Sequence, residues 1–120
     1  MIYVFTAKPR ITSRFDATNP YYTTSKIEPI QCEATGSPKP KVTWYQIIKS
    51  INNNNNNNTN KTQITPSSLG VAVLNATVLR RNYGTTVYAC YAENSQGVVS
   101  KRMEVSMSKI GLFPTLFTNT

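Results

Sequence analysis

Alternation of apolar and polar side chains dominates the second half of the chain. In TTVYACYAEN (85–94), Tyr88, Cys90 and Ala92 share one face of an extended strand while Val87, Ala89 and Tyr91 share the other, because successive side chains of a strand point to opposite sides. A tight SQG turn follows, in which Gly97 is free to take positive φ, and VVSKRMEVSM (98–107) completes a hairpin. Upstream, Ile30 and Cys32 lie on one face of a strand that GSPKP stops with a glycine and two prolines. KVTWYQII then sets Val42, Trp44 and Gln46 against Thr43, Tyr45 and Ile47, and VAVLNATVL sets Leu74, Ala76 and Val78 against Asn75, Thr77 and Leu79. No segment carries the 3.6-residue period over a helix's length. The pattern therefore predicts an all-β chain of short strands and regular turns, folded as a sandwich or barrel.

Two regions lack the alternation. Residues 49–70, KSINNNNNNNTNKTQITPSSLG, are polar and poor in strand formers, with asparagine unbroken from Asn52 to Asn58. They read as an exposed loop, disordered over 50–62. Residues 1–24 are mixed: KPRI, near Pro9 to Ile11, enters an edge strand, and Asn19–Pro20 carries turn chemistry. A length of 120 residues suits one core. The expected organisation is an N-terminal segment with strand A (1–24), one domain core (25–107) and a C-terminal linker or truncated end (108–120). No apolar run reaches the about 18 residues a membrane span needs, and MIYVFTAKPR has no signal-peptide pattern. The chain is expected to be an excerpt of a longer protein, with any membrane attachment made through parts outside it.

Composition narrows the chemistry. The chain has no histidine, two cysteines and five acids, which removes the usual general base and leaves no convincing paired-acid or zinc arrangement. No catalysis, metal or cofactor is expected. Thirteen Lys and Arg give a formal charge of +8, scattered in short pairs (Lys39 and Lys41, Arg80 and Arg81, Lys101 and Arg102) rather than in one stripe. Such pairs read first as solvated strand edges and turns, and with no nucleic-acid motif beside them no nucleic-acid partner is expected. Lys39, Lys41 and Lys49 are the candidate basic contacts for an acidic partner such as a sulfated glycan. Asn57, Asn60 and Asn75 each open an Asn-x-Ser/Thr triplet and are the candidate N-glycosylation sites. Read on a strand, Asn75 points outward, where a glycan leaves the core closed.

The stretches CEATGSPKPKVTWY and YACYAENSQG, with Tyr88 two residues before Cys90, resemble the immunoglobulin superfamily, in particular its I-set class. The resemblance runs from about Lys26 to Val105, and more weakly through Pro9 to Ile11. It implies an immunoglobulin-like two-sheet Greek-key sandwich, with a Cys32–Cys90 disulfide between the sheets, Trp44 packed on it, and Tyr88 as a tyrosine corner bonded to backbone just upstream. All four are then core and pinning residues and none is a binding site. Such a bridge stabilises by about 4 kcal/mol in the chain-entropy account. Two departures stand out. YGTTVYAC lacks the aspartate of the family's Asp-x-Gly-x-Tyr-x-Cys pattern, and Glu28 falls where an inward apolar residue is common. The resemblance further implies a non-catalytic protein-binding module of a cell-surface adhesion or recognition receptor, acting outside the cell by homophilic or heterophilic contact with other immunoglobulin-like domains. A structural module of an intracellular muscle scaffold, with reduced cysteines, and an extracellular-matrix module binding sulfated glycans are the alternatives.

Overall fold

The computed structural model describes residues 5–13, 18–23, 29–51, 57–79, 81 and 84–108. Its elements in chain order are β1 (Ala7–Ile11), β2 (Thr18–Thr23), β3 (Ile30–Ser37), β4 (Lys41–Ile51), β5 (Asn57–Gln63), β6 (Ser68–Leu69), β7 (Val71–Leu74), a short helical turn α1 (Ala76–Leu79), β8 (Gly84–Asn94) and β9 (Gly97–Ser108). They form two sheets. One has the order β1-β3-β7. The other has the order β2-β9-β8-β4-β5, with β6 pairing the start of β4. All pairings are antiparallel except β2 on β9, which is parallel.

The alternation read from the sequence fills the space between the sheets. Ile30, Cys32 and Ala34 of β3 and Ala72 and Leu74 of β7 face Val42 and Trp44 of β4, Tyr88, Cys90 and Ala92 of β8, and Met103, Val105 and Met107 of β9. The small residues matter, because Ala34, Ala72 and Ala92 leave room at the centre for the indole. Trp44 is fully buried, and its Nε1 donates to the backbone oxygen of Ala72 at 3.0 Å, tying β4 of one sheet to β7 of the other. Cys32 and Cys90 are bonded, also with no exposed surface, and Cys90 is the register partner of Trp44.

Three stretches differ from the sequence expectation, the first being Asn19–Pro20, read as a turn but lying inside β2, where pairing with β9 extends the chain. The stretch 49–70, expected to be loop, instead holds the end of β4 through Ile51, β5 in register with β4 from Tyr45↔Gln63 to Ile51↔Asn57, and the short β6. An edge strand of Asn, Thr, Lys and Gln buries neither face at its described positions, so it leaves no apolar period to read. The long free backbone edge of β4 supplies its pairing instead. The part of the asparagine run at 52–56 lies outside the described residues.

The strand expected through VAVLNATVL also ends early. After Leu74 the chain turns into α1, where Asn75 Oδ1 accepts from Val78 N at 2.9 Å and the Asn75 carbonyl accepts from Leu79 N at 3.1 Å. Asparagine offers its side-chain oxygen to an orphan helical N–H, and here that local bond outcompetes the ladder. Leu79, outward in the strand reading, is thereby carried into the core at 1% exposed. Glu28 and the backbone at 82–83, just upstream of the Tyr88 strand, lie outside the described residues.

A segment between β5 and β7 binds the sheets together. Ile64 N donates to the Trp44 carbonyl, and Trp44 N donates to Thr65 Oγ1. At Gly70, with φ of +82°, the N–H reaches Pro40 of one sheet's approach while the carbonyl accepts from Ala34 N of the other, both at 2.9 Å. A side chain is disfavoured there, since left-handed φ strains any residue with a Cβ.

Candidate binding face

The outer face of the larger sheet is where side chains are presented rather than packed between sheets. By alternation it carries Lys41, Thr43, Tyr45, Ile47 and Lys49 of β4, and Val87, Ala89, Tyr91 and Glu93 of β8. The registers Ile47↔Lys61 and Ala89↔Arg102 add Lys61 from β5 and Arg102 from β9. At its centre the Tyr45 and Tyr91 rings meet edge to face, with centroids 5.1 Å apart and planes at 77°. Lys61 Nζ stands over both rings, 4.6 Å from the Tyr45 centroid and 4.0 Å from that of Tyr91. The positive edge of one ring on the negative face of the other, with an ammonium over the π surface, is the favoured electrostatic arrangement of such groups.

This cluster roofs its neighbours. Ala89 is fully buried and Ile47 only 7% exposed, although both belong to the outer face. The tyrosines are half-buried and Lys61 is exposed, so the aromatic pair is held in place while remaining accessible. Beside it lies a hollow of about 290 Å³, bounded by Lys41, Thr43, Ser67, Glu93 and Val98 together with the two rings and Lys61. Thr43 Oγ1 and Ser67 Oγ lie 2.7 Å apart across its floor. The hollow is open, with both charge signs, hydroxyls and a rigid aromatic wall. That composition suits contact with another protein surface, where tyrosine anchors give area at small entropy cost.

The sequence candidates distribute unevenly. Cys32, Cys90, Trp44 and Tyr88 are buried in the core, away from this face. Lys41 and Lys49 both lie on the face, but roughly 26 Å apart along an extended strand. Lys39 belongs to the loop between β3 and β4, lies against Gly70 and shares a hollow with Lys41, beside Glu93, while Lys49 stands at the far end of β4, so the structure brings two of the three lysines together and not the third. Asn60 is exposed on β5, Asn57 begins β5 with its side chain outside the description, and Asn75 caps α1. Tyr45, Tyr91 and Lys61 were missed as a group. The outward positions of both tyrosines were present in the alternation, whereas Lys61 was hidden in a stretch read as loop.

Asn94 was missed too. Its Nδ2 donates to the carbonyls of Ala7 at 2.9 Å and Pro38 at 2.8 Å, and its Oδ1 accepts from Gln96 N at 2.8 Å. One amide thus ties the β8–β9 turn to β1 and to the loop after β3, which gives the AENSQG stretch a structural reason. Among the described residues, no group of three or more His, Cys, Asp or Glu side chains comes together to hold a metal ion. No described helix is long and apolar enough to cross a membrane.

Two facing sheets pinned by a buried disulfide, with a tryptophan bonded across them, define an immunoglobulin-like sandwich. The chain belongs to the immunoglobulin I-set domain family, which matches residues 24–107. It is 33% identical over 88 residues to receptor-type tyrosine-protein phosphatase S of Gallus gallus, covering 73% of this chain and 6% of that relative's length. It is similar to the solved first two immunoglobulin domains of DIP-gamma, at 26% identity with a TM-score of 0.52, over 85% of this chain and 49% of that one. DIP-gamma also occurs in a solved complex with the first immunoglobulin domain of Dpr11, and a chain of that complex matches at 24% identity with a TM-score of 0.51, over 85% of this chain and 48% of that one. Titin domain M7 shares the fold at 15% identity and a TM-score of 0.50, over 87% of this chain and 97% of that one.

Proposed function

We propose that this domain is a non-catalytic binding module of a cell-surface recognition or adhesion receptor, and that it engages another immunoglobulin-like domain through the outer face around Tyr45, Tyr91 and Lys61. The observation that carries the reading is that aromatic–cation cluster, its tyrosines on the neighbouring inner strands β4 and β8 and its lysine on the edge strand β5, open to contact. The relatives support it. Phosphatase S is receptor-type by name, and DIP-gamma is bound by an immunoglobulin domain of Dpr11. The closed Cys32–Cys90 bridge supports an oxidising location over a muscle-scaffold role, and the likeness to titin at 15% identity speaks for fold alone.

The test is to present the chain on cells and measure aggregation with like cells, and binding to a panel of soluble immunoglobulin-domain ectodomains. Lys61→Glu and Tyr91→Ala are expected to abolish capture by a partner the unaltered domain binds, Lys61→Glu with its melting temperature nearly unchanged because the side chain is exposed, and Tyr91→Ala with a modest drop but no unfolding because the ring covers buried Ala89. Capture that survives both substitutions overturns the outer-face reading.

A second reading rests on the surplus of cations. The outer face presents Lys41, Lys49, Lys61 and Arg102, so a sulfated glycan is the runner-up ligand. In that case retention on heparin falls steeply with salt and falls again when Lys39, Lys41 and Lys49 are changed together to Glu. Retention indifferent to those changes excludes it.

A further inference from the structure

One edge of the smaller sheet is open. β7 pairs with β3 through Ile30↔Leu74, Gln31↔Val73, Cys32↔Ala72 and Glu33↔Val71, and among the described residues no strand pairs with its other side. Val73 is 42% exposed there. Beside the edge runs a groove of about 550 Å³ whose walls include Ile64, Pro66, Val71, Val73, Asn75 and Val78. An uncovered, partly apolar strand edge invites pairing with another chain, and folded proteins blunt such edges with charge, proline, bulges or a cover. β7 itself, Val-Ala-Val-Leu, contains neither a charge nor a proline.

The residue that ends this edge opens the triplet Asn75-Ala76-Thr77. We infer that Asn75 carries an N-linked glycan, and that this glycan is the cover of the β7 edge. Asn75 is exposed, and its Oδ1 is engaged by Val78 N at 2.9 Å, which leaves Nδ2 as the free end of the amide. In the transfer, Nδ2 attacks C1 of the first sugar of a lipid-pyrophosphate-linked oligosaccharide. The N–C1 bond forms, the bond from C1 to the phosphate oxygen breaks, and the lipid pyrophosphate departs with the electron pair. Nδ2 loses one proton, and nothing is oxidised or reduced. The product is still an amide with its carbonyl oxygen intact, so the cap on Val78 N survives modification.

The sugar then emerges at the mouth of the groove, beside Val73 and Val78, and its bulk keeps a second strand from the edge. Asn60, on β5 of the other sheet, does not line the groove. The inference rests on the extracellular part of the proposed function, because the donor and its transferase belong to the secretory pathway.

The experiment expresses the whole chain behind an added secretion leader in a eukaryotic host. Enzymatic release of N-glycans converts a modified Asn to Asp, and peptide mass spectrometry reads the sites. Asn75 is expected to be converted, and Thr77→Ala is expected to lose that glycan while keeping Asn75 and its cap. The glycosylated chain should scatter light as a monomer, and the Thr77→Ala chain should shift toward dimers and larger species. Adding Val73→Lys to Thr77→Ala should restore the monomer by charging the open edge.

Asn75 found unmodified in secreted, disulfide-bonded chain overturns the glycan. Asn75 modified with Thr77→Ala still monomeric overturns its role as a cover. The compartment is tested separately: native protein recovered with Cys32 and Cys90 reduced would sink the extracellular reading, whatever the secreted host shows.

Discussion

At the scale of single residues, the domain is held by a few side chains that each join two distant segments. Asn94 reaches β1 and the loop after β3 with one amide group. Asn94→Ala removes two donated bonds and one accepted bond, and is expected to cost about 2 kcal/mol, read as a lowered urea midpoint with unchanged slope. Asn94→Asp should cost at least as much, since a carboxylate turns toward two carbonyl oxygens and has no proton to donate. A midpoint unmoved by either change would show that water replaces the amide without loss. Trp44, Cys32, Cys90 and Tyr88 were legible before any fold was known, because their types and spacing belong to a known pattern. Asn94 was legible only as part of that pattern, since its partners are carbonyls 56 and 87 positions away in sequence.

At the scale of elements, the informative contrast is between two glycines of equal φ. Gly70 and Gly84 both stand at +82°. A Cβ at Gly84 meets nothing within 4 Å, and at Gly70 its nearest contacts are the end of the exposed Lys39 side chain, which can swing aside, so what sets Gly70 apart is that its N–H and C=O bond one sheet each. Gly84→Ala is expected to cost about 1 kcal/mol from left-handed strain alone, and Gly70→Ala about 2 kcal/mol or more. Thermal unfolding of the pair checks the order, and equal costs would show that the link between sheets bends without penalty. Strand existence was readable wherever one face is buried, as in β3, β4, β8 and β9. It failed at β5, whose described side chains from Thr59 to Gln63 are all exposed, and at α1, where one cap bond at Asn75 decides between strand and helical turn. Both failures have the same cause, since hydrophobic period reports burial and neither element's conformation is set by burial alone.

At the scale of the whole molecule, stability rests on a bridge between sheets whose cysteines are 58 residues apart. Replacing both Cys32 and Cys90 with Ala is expected to remove about 4 kcal/mol, read by denaturant titration of the two chains side by side. Reductant should act on the unaltered domain only as fast as it opens, because neither sulfur is exposed. Equal midpoints for the two chains would show that the bridge constrains nothing in the unfolded state. The sequence by itself determined the fold class, the inward faces of the main strands and the burial of Cys32, Trp44, Tyr88 and Cys90, because these follow from period-two burial and from side-chain types with one dominant packing role. Only the tertiary structure decided which outward residues form a surface. Tyr45, Tyr91 and Lys61 come from three strands whose register is a long-range property. The open edge of β7, with Asn75 at its end, is likewise a fact of strand neighbours, which a chain read in order does not contain.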